Sequence, residues 1–136
     1  MSVDSFVFLR SDRLPTMTQL QHAMDEAEAG IRLEDVGDLR THAGYWPVLH
    51  HGQESGFEWY VEGVDDIGLT LPGDLGERDS AVRFVTHSDL REYVSAAITA
   101  AIVAQCSDGL VYDEESDALI DGAAALELAK RVETML

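Results

Sequence analysis

The chain has little positive charge. Its 136 residues carry nine Lys and Arg against 26 Asp and Glu, for a formal net charge of −17, and Lys130 is the single lysine. Nucleic-acid binding requires a basic surface, and anionic membranes repel an acidic protein. The composition therefore argues against both partners and favours cations or a basic protein. The acids are spread along the whole chain, and an acidic composition with little lysine is also typical of proteins from salt-adapted or GC-rich organisms.

Cysteine and long apolar runs are also scarce. Cys106 is the single cysteine, so an intramolecular disulfide is excluded, which suits a reducing compartment. Residues 1–4 lack the basic and apolar regions of a signal peptide. The longest apolar run, 93–106, is interrupted by polar side chains and falls short of the ~20 residues that a membrane span needs. These absences predict a cytoplasmic protein.

The apolar pattern predicts one α+β domain over residues 1–136. Its strand and helix patterns follow the order β-α-β-β-β-β-α-β-β-α, with helix caps at Thr16, Ser88 and Asp121. Because hairpins join most strands, we expect a mainly antiparallel sheet with three helices packed mostly on one face. The second helix is apolar almost all round, which predicts burial between two layers or at a subunit contact. The acidic stretch 63–80 is predicted to be a mobile surface loop.

The predicted hairpin 46–62 is the best candidate for a functional site. The length of its glycine-containing turn decides which side chains share a face. A three-residue loop places on one face Trp46, Val48, His50, Glu58, Tyr60 and Glu62. A four-residue loop groups Trp46, Val48 and His50 with Phe57, Trp59 and Val61, and leaves opposite them Leu49, His51, Glu58, Tyr60 and Glu62. In both registers, aromatic and acidic side chains share or border a half-exposed face, as at protein-binding surfaces.

We expect the partner-binding residues in this hairpin and in the loop that follows it. The candidates are Trp46, His50, Glu58, Tyr60, Glu62, Asp65 and Asp66. The acids suit positive charge on a partner, and the aromatic rings supply contact area. No catalytic or cofactor-binding residue is predicted, because the chain has no nucleophile elbow and no glycine-rich phosphate loop.

A metal site is not predicted either. His50 and His51 are neighbours in a predicted strand, so their side chains are expected to point to opposite faces and not to share an ion. The acidic turn 113–117 lacks the alternating ligands and the closing glutamate of an EF-hand calcium loop. Cys106 lies in an apolar helix, where a buried free cysteine is common.

Two stretches resemble a known class of protein. One is Gly56-Phe57-Glu58-Trp59-Tyr60 in the hairpin. The other is Asp108-Gly109-Leu110-Val111-Tyr112-Asp113, which follows an Ala-rich helix and precedes an acidic turn and a last helix containing Ala123-Ala124-Ala125-Leu126. With these features, strongest over 81–136, the chain resembles small bacterial α+β proteins, some of which are immunity proteins of polymorphic toxin systems. The resemblance implies a non-enzymatic binder that neutralises a toxin by covering it. A basic nuclease suits such an acidic inhibitor, since opposite charge speeds encounter.

Three hypotheses follow. The first is an acidic binding protein, with an immunity protein for a basic toxin as its specific form. The second is a small hydrolase or ligand-binding enzyme that uses His50 or His51 with Glu58 and Tyr60. The third is a structural homo-oligomer, such as a homodimer, in which the Ala-rich helix packs against a second subunit.

Overall fold

Seven strands form one antiparallel sheet in the computed structural model, which describes residues 2–136. The strands are β1 Val3–Leu9, β2 Ile31–Leu33, β3 Gly44–His50, β4 Gln53–Gly63, β5 Ser80–Thr86, β6 Leu110–Asp113 and β7 Ala118–Ile120. Their order across the sheet is β2-β3-β4-β5-β1-β6-β7, and every neighbouring pair is antiparallel. Together with three helices, this sheet confirms the predicted α+β class and the predicted order of elements.

Each of the three helices begins at a side-chain cap. The helices are α1 Met17–Glu26, α2 Leu90–Ser107 and α3 Gly122–Glu133. Thr16 and Gln19 form the predicted capping box, and Asp121 caps α3. The cap of α2 is Asp89, whose carboxylate accepts a hydrogen bond from the first helical turn, rather than the predicted Ser88. Within residues 2–136, no helix combines the length and the apolar character needed to cross a membrane.

The main core lies between the inner face of the sheet and the helices. Strand alternation sends Val7 and Leu9 inward, where they join a buried cluster that includes side chains from all three helices. The central helix, α2, packs against the sheet, α1 and α3, and most of its alanines are buried within the chain. The predicted burial of this helix between two layers is therefore confirmed.

A second, smaller core covers part of the outer face. Phe6 and Phe8 point outward from β1 and are buried by residues 64–79, which we call the covering segment, together with Tyr112 and Leu119. The side chains of this segment that pack there are Val64, Ile67, Leu71 and Leu75. The Asp79 carboxylate accepts a 2.8 Å hydrogen bond from the amide of Ser11 and ties down the end of the segment. The stretch predicted as a surface loop thus supplies the apolar cover of this half of the sheet.

Candidate functional site

The hairpin of β3 and β4 has a shorter turn than either predicted register. His50 pairs with Gln53, so the turn consists of His51 and Gly52, with φ angles of 49° and 80°. Positive φ at both turn residues is the type I′ arrangement that matches the twist of a two-residue hairpin. Both predicted loops were too long, because residues 53–55 belong to β4. The four-residue alternative was nevertheless right about the faces, apart from His51, because its register differs from the observed one by an even number of residues.

The seven predicted partner-binding residues do not share one surface. Trp46 and His50 lie on the inner face and are 0% and 1% exposed. The Trp46 ring meets Trp59 edge-on, and its indole N–H donates to the backbone oxygen of Glu34, so it belongs to the core. The other predicted residues lie on the outer face or in the 3-10 helix Val64–Asp66 that follows β4, where the two aspartates are exposed: Glu58, Tyr60, Glu62, Asp65 and Asp66.

Glu58 is held by two neighbours on the outer face. Its carboxylate accepts a hydrogen bond from the Tyr60 hydroxyl and pairs with Nε2 of His87. The bond from Tyr60, followed by that from His87, lowers the pKa of Glu58, and the same contact with Glu58 raises the pKa of Tyr60. The aromatic and acidic side chains that the sequence placed together are therefore bonded to each other.

Arg83 pairs with much of the remaining acidity on this part of the face. Its guanidinium lies 2.9 Å from Glu62 and 3.7 Å from Asp4, and its Cζ is 4.7 Å from the centre of the Tyr60 ring. The hydrogen bond to Glu62 raises the pKa of Arg83. A hollow of about 610 Å³ beside the covering segment is lined by Asp4, Glu62, Asp66 and Arg83, among others. Asp4 and Glu62 are thus paired within the chain, whereas the Asp66 carboxylate makes no hydrogen bond or ion pair to the described residues.

The outer face of β2, β3 and β4 is a different surface, which we call the β2–β4 face. Its residues line a hollow of about 480 Å³ and include Arg32, Glu34, Tyr45, Pro47, Leu49 and Glu54. Tyr45 and Leu49 are 51% and 40% exposed there, on either side of the half-buried Pro47. The covering segment packs on β1 and β5 and does not bury these side chains. The sequence analysis did not predict these residues as a site, although the alternation along β3 indicates that Tyr45, Pro47 and Leu49 share one face.

Tyr45 is fixed in place across β4. Its hydroxyl donates a 2.7 Å hydrogen bond to the carboxylate of Glu92, in the first turn of α2. Gly56 leaves space for the ring, because a Cβ atom there would overlap the phenol and lie 2.8 Å from the backbone oxygen of Trp46. Partial burial, and then the bond to Glu92, raise the pKa of Tyr45 to about 12. The ring is therefore already positioned for contact with another molecule.

A cavity of about 680 Å³ lies between β1, β6, α2 and α3. Apolar side chains line most of it, together with Tyr93 and the acidic residues 113–115. Burial raises the pKa of Tyr93. None of the residues of the enzyme hypothesis lines this cavity, and the strand pairing sends His50 to the face opposite Glu58 and Tyr60. The structure therefore does not bring those three side chains together.

A second polar cluster lies at the turn between β3 and β4. Nε2 of His50 is 2.6 Å from Oε2 of Glu133, and Nε2 of His51 is 3.4 Å from the same oxygen. The two imidazole centres are 4.5 Å apart, and Nη1 of Arg91 lies 2.7 Å from Nδ1 of His50. The prediction that the two histidines point apart is wrong, because β3 ends at His50 and His51 turns with positive φ. We call His50, His51 and Glu133 the His–Glu cluster.

No protein-family model, curated protein or solved structure matches the chain. The sequence reasoning also missed His87, Arg91 and Glu133. Glu133 is 83 positions from His50, so no local spacing connects the two residues.

Proposed function

We propose that this protein binds a basic protein partner through the β2–β4 face. The main support for the proposal is that Tyr45 and Leu49 are exposed on the outer face of the sheet. The covering segment buries the apolar side chains on the other half of that face. Carboxylates frame this apolar centre: Glu34 and Glu54 line the same hollow, and Glu58 is the cross-strand neighbour of Tyr45.

The apolar centre suits a protein partner. Exposed apolar side chains that lie together and are rimmed by polar ones mark interaction surfaces. Tyrosine is among the residues that contribute most binding energy at interfaces. Because Glu92 and Gly56 already position the Tyr45 ring, its ordering costs little when a partner binds. A shallow hollow in a sheet face also accepts a protruding side chain of another protein.

The charge of the surface supports a basic partner. The hollow holds two glutamates and one arginine, Arg32, within a chain of formal net charge −17. The Glu54 carboxylate makes no hydrogen bond or ion pair to residues 2–136, the part of the chain that the structure describes. Its charge is therefore available to a partner. Opposite charge of this kind raises association rates by about 10- to 1,000-fold at low salt.

An immunity protein for a basic bacterial toxin is the specific form of this proposal. Support comes from the acidity of the chain and from the resemblance of residues 56–60 and 81–136 to such proteins. Such a protein works in the cytoplasm by covering its target, without chemistry of its own. A stable complex of this kind buries about 800 Å² on each partner.

Site-specific cross-linking in cells of the source organism tests the proposal. A photoreactive amino acid replaces Leu49 on the β2–β4 face or, as a matched control, Leu69 on the covering segment, which is 44% exposed. We expect position 49 to capture a protein with a basic surface and position 69 to leave that protein uncaptured. The proposal is overturned if position 49 yields no product or an acidic partner, or if the partner is captured at position 69 alone.

A further inference from the structure

We infer that the His–Glu cluster binds a divalent transition-metal ion of the zinc type. One ligand atom from each of His50, His51 and Glu133 lies within 4.8 Å of the others. Two imidazoles and one carboxylate are a ligand set of open zinc sites, in which a fourth position remains for water or another molecule. The inference is independent of the proposed partner surface, because His50 lies on the opposite face of the sheet from Tyr45 and Leu49.

The turn conformation creates the cluster. In a regular strand the side chains of His50 and His51 would point to opposite faces. The positive φ of His51 ends the alternation and brings its ring beside that of His50. The third group comes from the last residue of α3, Glu133, whose carboxylate contacts both imidazoles. The ligands therefore come from two elements that are fixed by the rest of the fold.

The distances are close to those around a coordinated ion. Zinc–nitrogen and zinc–oxygen bonds of ~2.0–2.2 Å in a tetrahedron place ligand atoms about 3.3 Å apart. The distance from His51 Nε2 to Oε2 of Glu133 is 3.4 Å, which already fits. The 2.6 Å distance from His50 Nε2 to the same oxygen must widen by less than about 1 Å.

The burial of the ligands also favours an ion. The His50 side chain is almost fully buried, and that of Glu133 is partly buried. His51 is exposed and leaves the open side of the cluster accessible to solvent. Two neutral imidazoles and one carboxylate leave a divalent ion with one positive charge, which the strongly acidic chain stabilises.

The hydrogen bond from Arg91 to His50 should weaken the binding of an ion. Nδ1 of His50 accepts a hydrogen bond from Arg91, so the imidazole proton is on Nε2 and points to Glu133. When an ion binds Nε2, that proton moves to Nδ1, and the guanidinium must turn away from it. Removing the guanidinium should therefore tighten metal binding, whereas a purely structural Arg91 would leave it unchanged or weaken it.

Calorimetric titration of the metal-free protein with Zn²⁺ tests the inference. We expect one ion per chain, together with a rise in the melting temperature as Zn²⁺ is added. His51→Ala and Glu133→Gln should each weaken binding on the order of a hundredfold or more, beyond the ~10–100-fold cost of changes outside the ligand set. Arg91→Gln should tighten it, and Co²⁺ in place of Zn²⁺ should show the visible absorption of a tetrahedral site.

His22→Ala is the matched control. His22 lies 2.9 Å from Glu26 on the surface of α1, a histidine–glutamate pair without a third ligand. Its loss should leave zinc binding unchanged. The inference is overturned if the wild-type protein binds no Zn²⁺, if His51→Ala binds as tightly as the wild type, or if His22→Ala removes the binding.

Discussion

The two halves of the outer sheet face share an alternating strand pattern, but apolar side chains are buried on one half and exposed on the other. On β1, Phe6 and Phe8 are 8% and 1% exposed beneath the covering segment, whereas on β3 Tyr45 and Leu49 are 51% and 40% exposed. Burial of apolar surface stabilises a fold by ~25 cal/mol per Å². The apolar side chains on the outer face of β1 contribute this stabilisation, whereas the exposed ones on β3 contribute little of it. The difference supports a role for the β2–β4 face in binding a partner.

The acids of this sheet face also differ from one another in their pairing. On β1, β4 and β5, Asp4 and Glu62 are paired with Arg83, whereas the carboxylates of Asp65 and Asp66 in the covering segment make no hydrogen bond or ion pair to the described residues. On the β2–β4 face, the Glu54 carboxylate has neither a hydrogen bond nor an ion pair to the described residues. Paired acids stabilise the fold, while an unpaired acid is available to attract a partner.

The largest expected effect is a difference in stability between alanine variants of the two halves. Phe8→Ala removes a ring from a packed core and should lower the free energy of unfolding by about 3 kcal/mol or more. Leu49→Ala, on the β2–β4 face, should stay within about 0.5 kcal/mol of the wild type. Urea denaturation measures both. Equal losses would show that the two halves are packed alike, and the comparison would fail.

A smaller effect tests whether the Tyr45 ring is held in position. Gly56→Ala places a Cβ atom against the ring and against the Trp46 carbonyl, so it should lower the free energy of unfolding by about 1–3 kcal/mol. Gly73→Ala is the control, because a Cβ atom there meets only an ordinary contact at 3.5 Å. Denaturation of both variants checks the expectation. An unchanged stability for Gly56→Ala would show that the ring is free to move.

The smallest effect concerns the paired and unpaired acids. Because the pKa of Glu58 is lowered in the folded protein, its ionised form stabilises the fold above its usual value of 4.5, and this contribution is lost as the pH falls through the lower folded pKa. Glu58→Gln should therefore be less stable than the wild type at pH 7, by a margin that shrinks as the pH falls below 4.5. Glu54→Gln should match the wild type at pH 7. A constant margin for Glu58→Gln would contradict the assigned bonds.

The sequence predicted the elements of this fold well and the hairpin register poorly. Local signals, such as the cap at Thr16 and the apolar alternation of the strands, identified every strand and every α-helix in order. The turn was harder to predict, because a His-Gly pair in the type I′ conformation is a weaker signal than the usual Asn-Gly, and a second glycine, Gly56, lies nearby. The faces were still assigned correctly by one alternative, because even shifts of register preserve them.

The candidate sites depended on contacts that local patterns do not contain. The covering segment was recognised by its acids and turns, while the packing of Ile67 and Leu71 onto β1 joins parts of the chain that are far apart in sequence. The His–Glu cluster needed both a turn at His51 and a residue from the end of α3. Strand alternation predicted that His50 and His51 point to opposite faces and cannot share an ion. This alternation does not extend to His51, because the strand ends at His50.

The affinity of the partner captured at position 49 tests the central claim most directly. Calorimetry on the purified pair should show that Tyr45→Ala weakens binding by about 2 kcal/mol or more, roughly thirtyfold, as the loss of an interface anchor does. Leu69→Ala, on the covering segment, should leave the affinity unchanged. If Leu69→Ala weakens binding and Tyr45→Ala does not, the partner binds elsewhere and the β2–β4 face is not the binding surface.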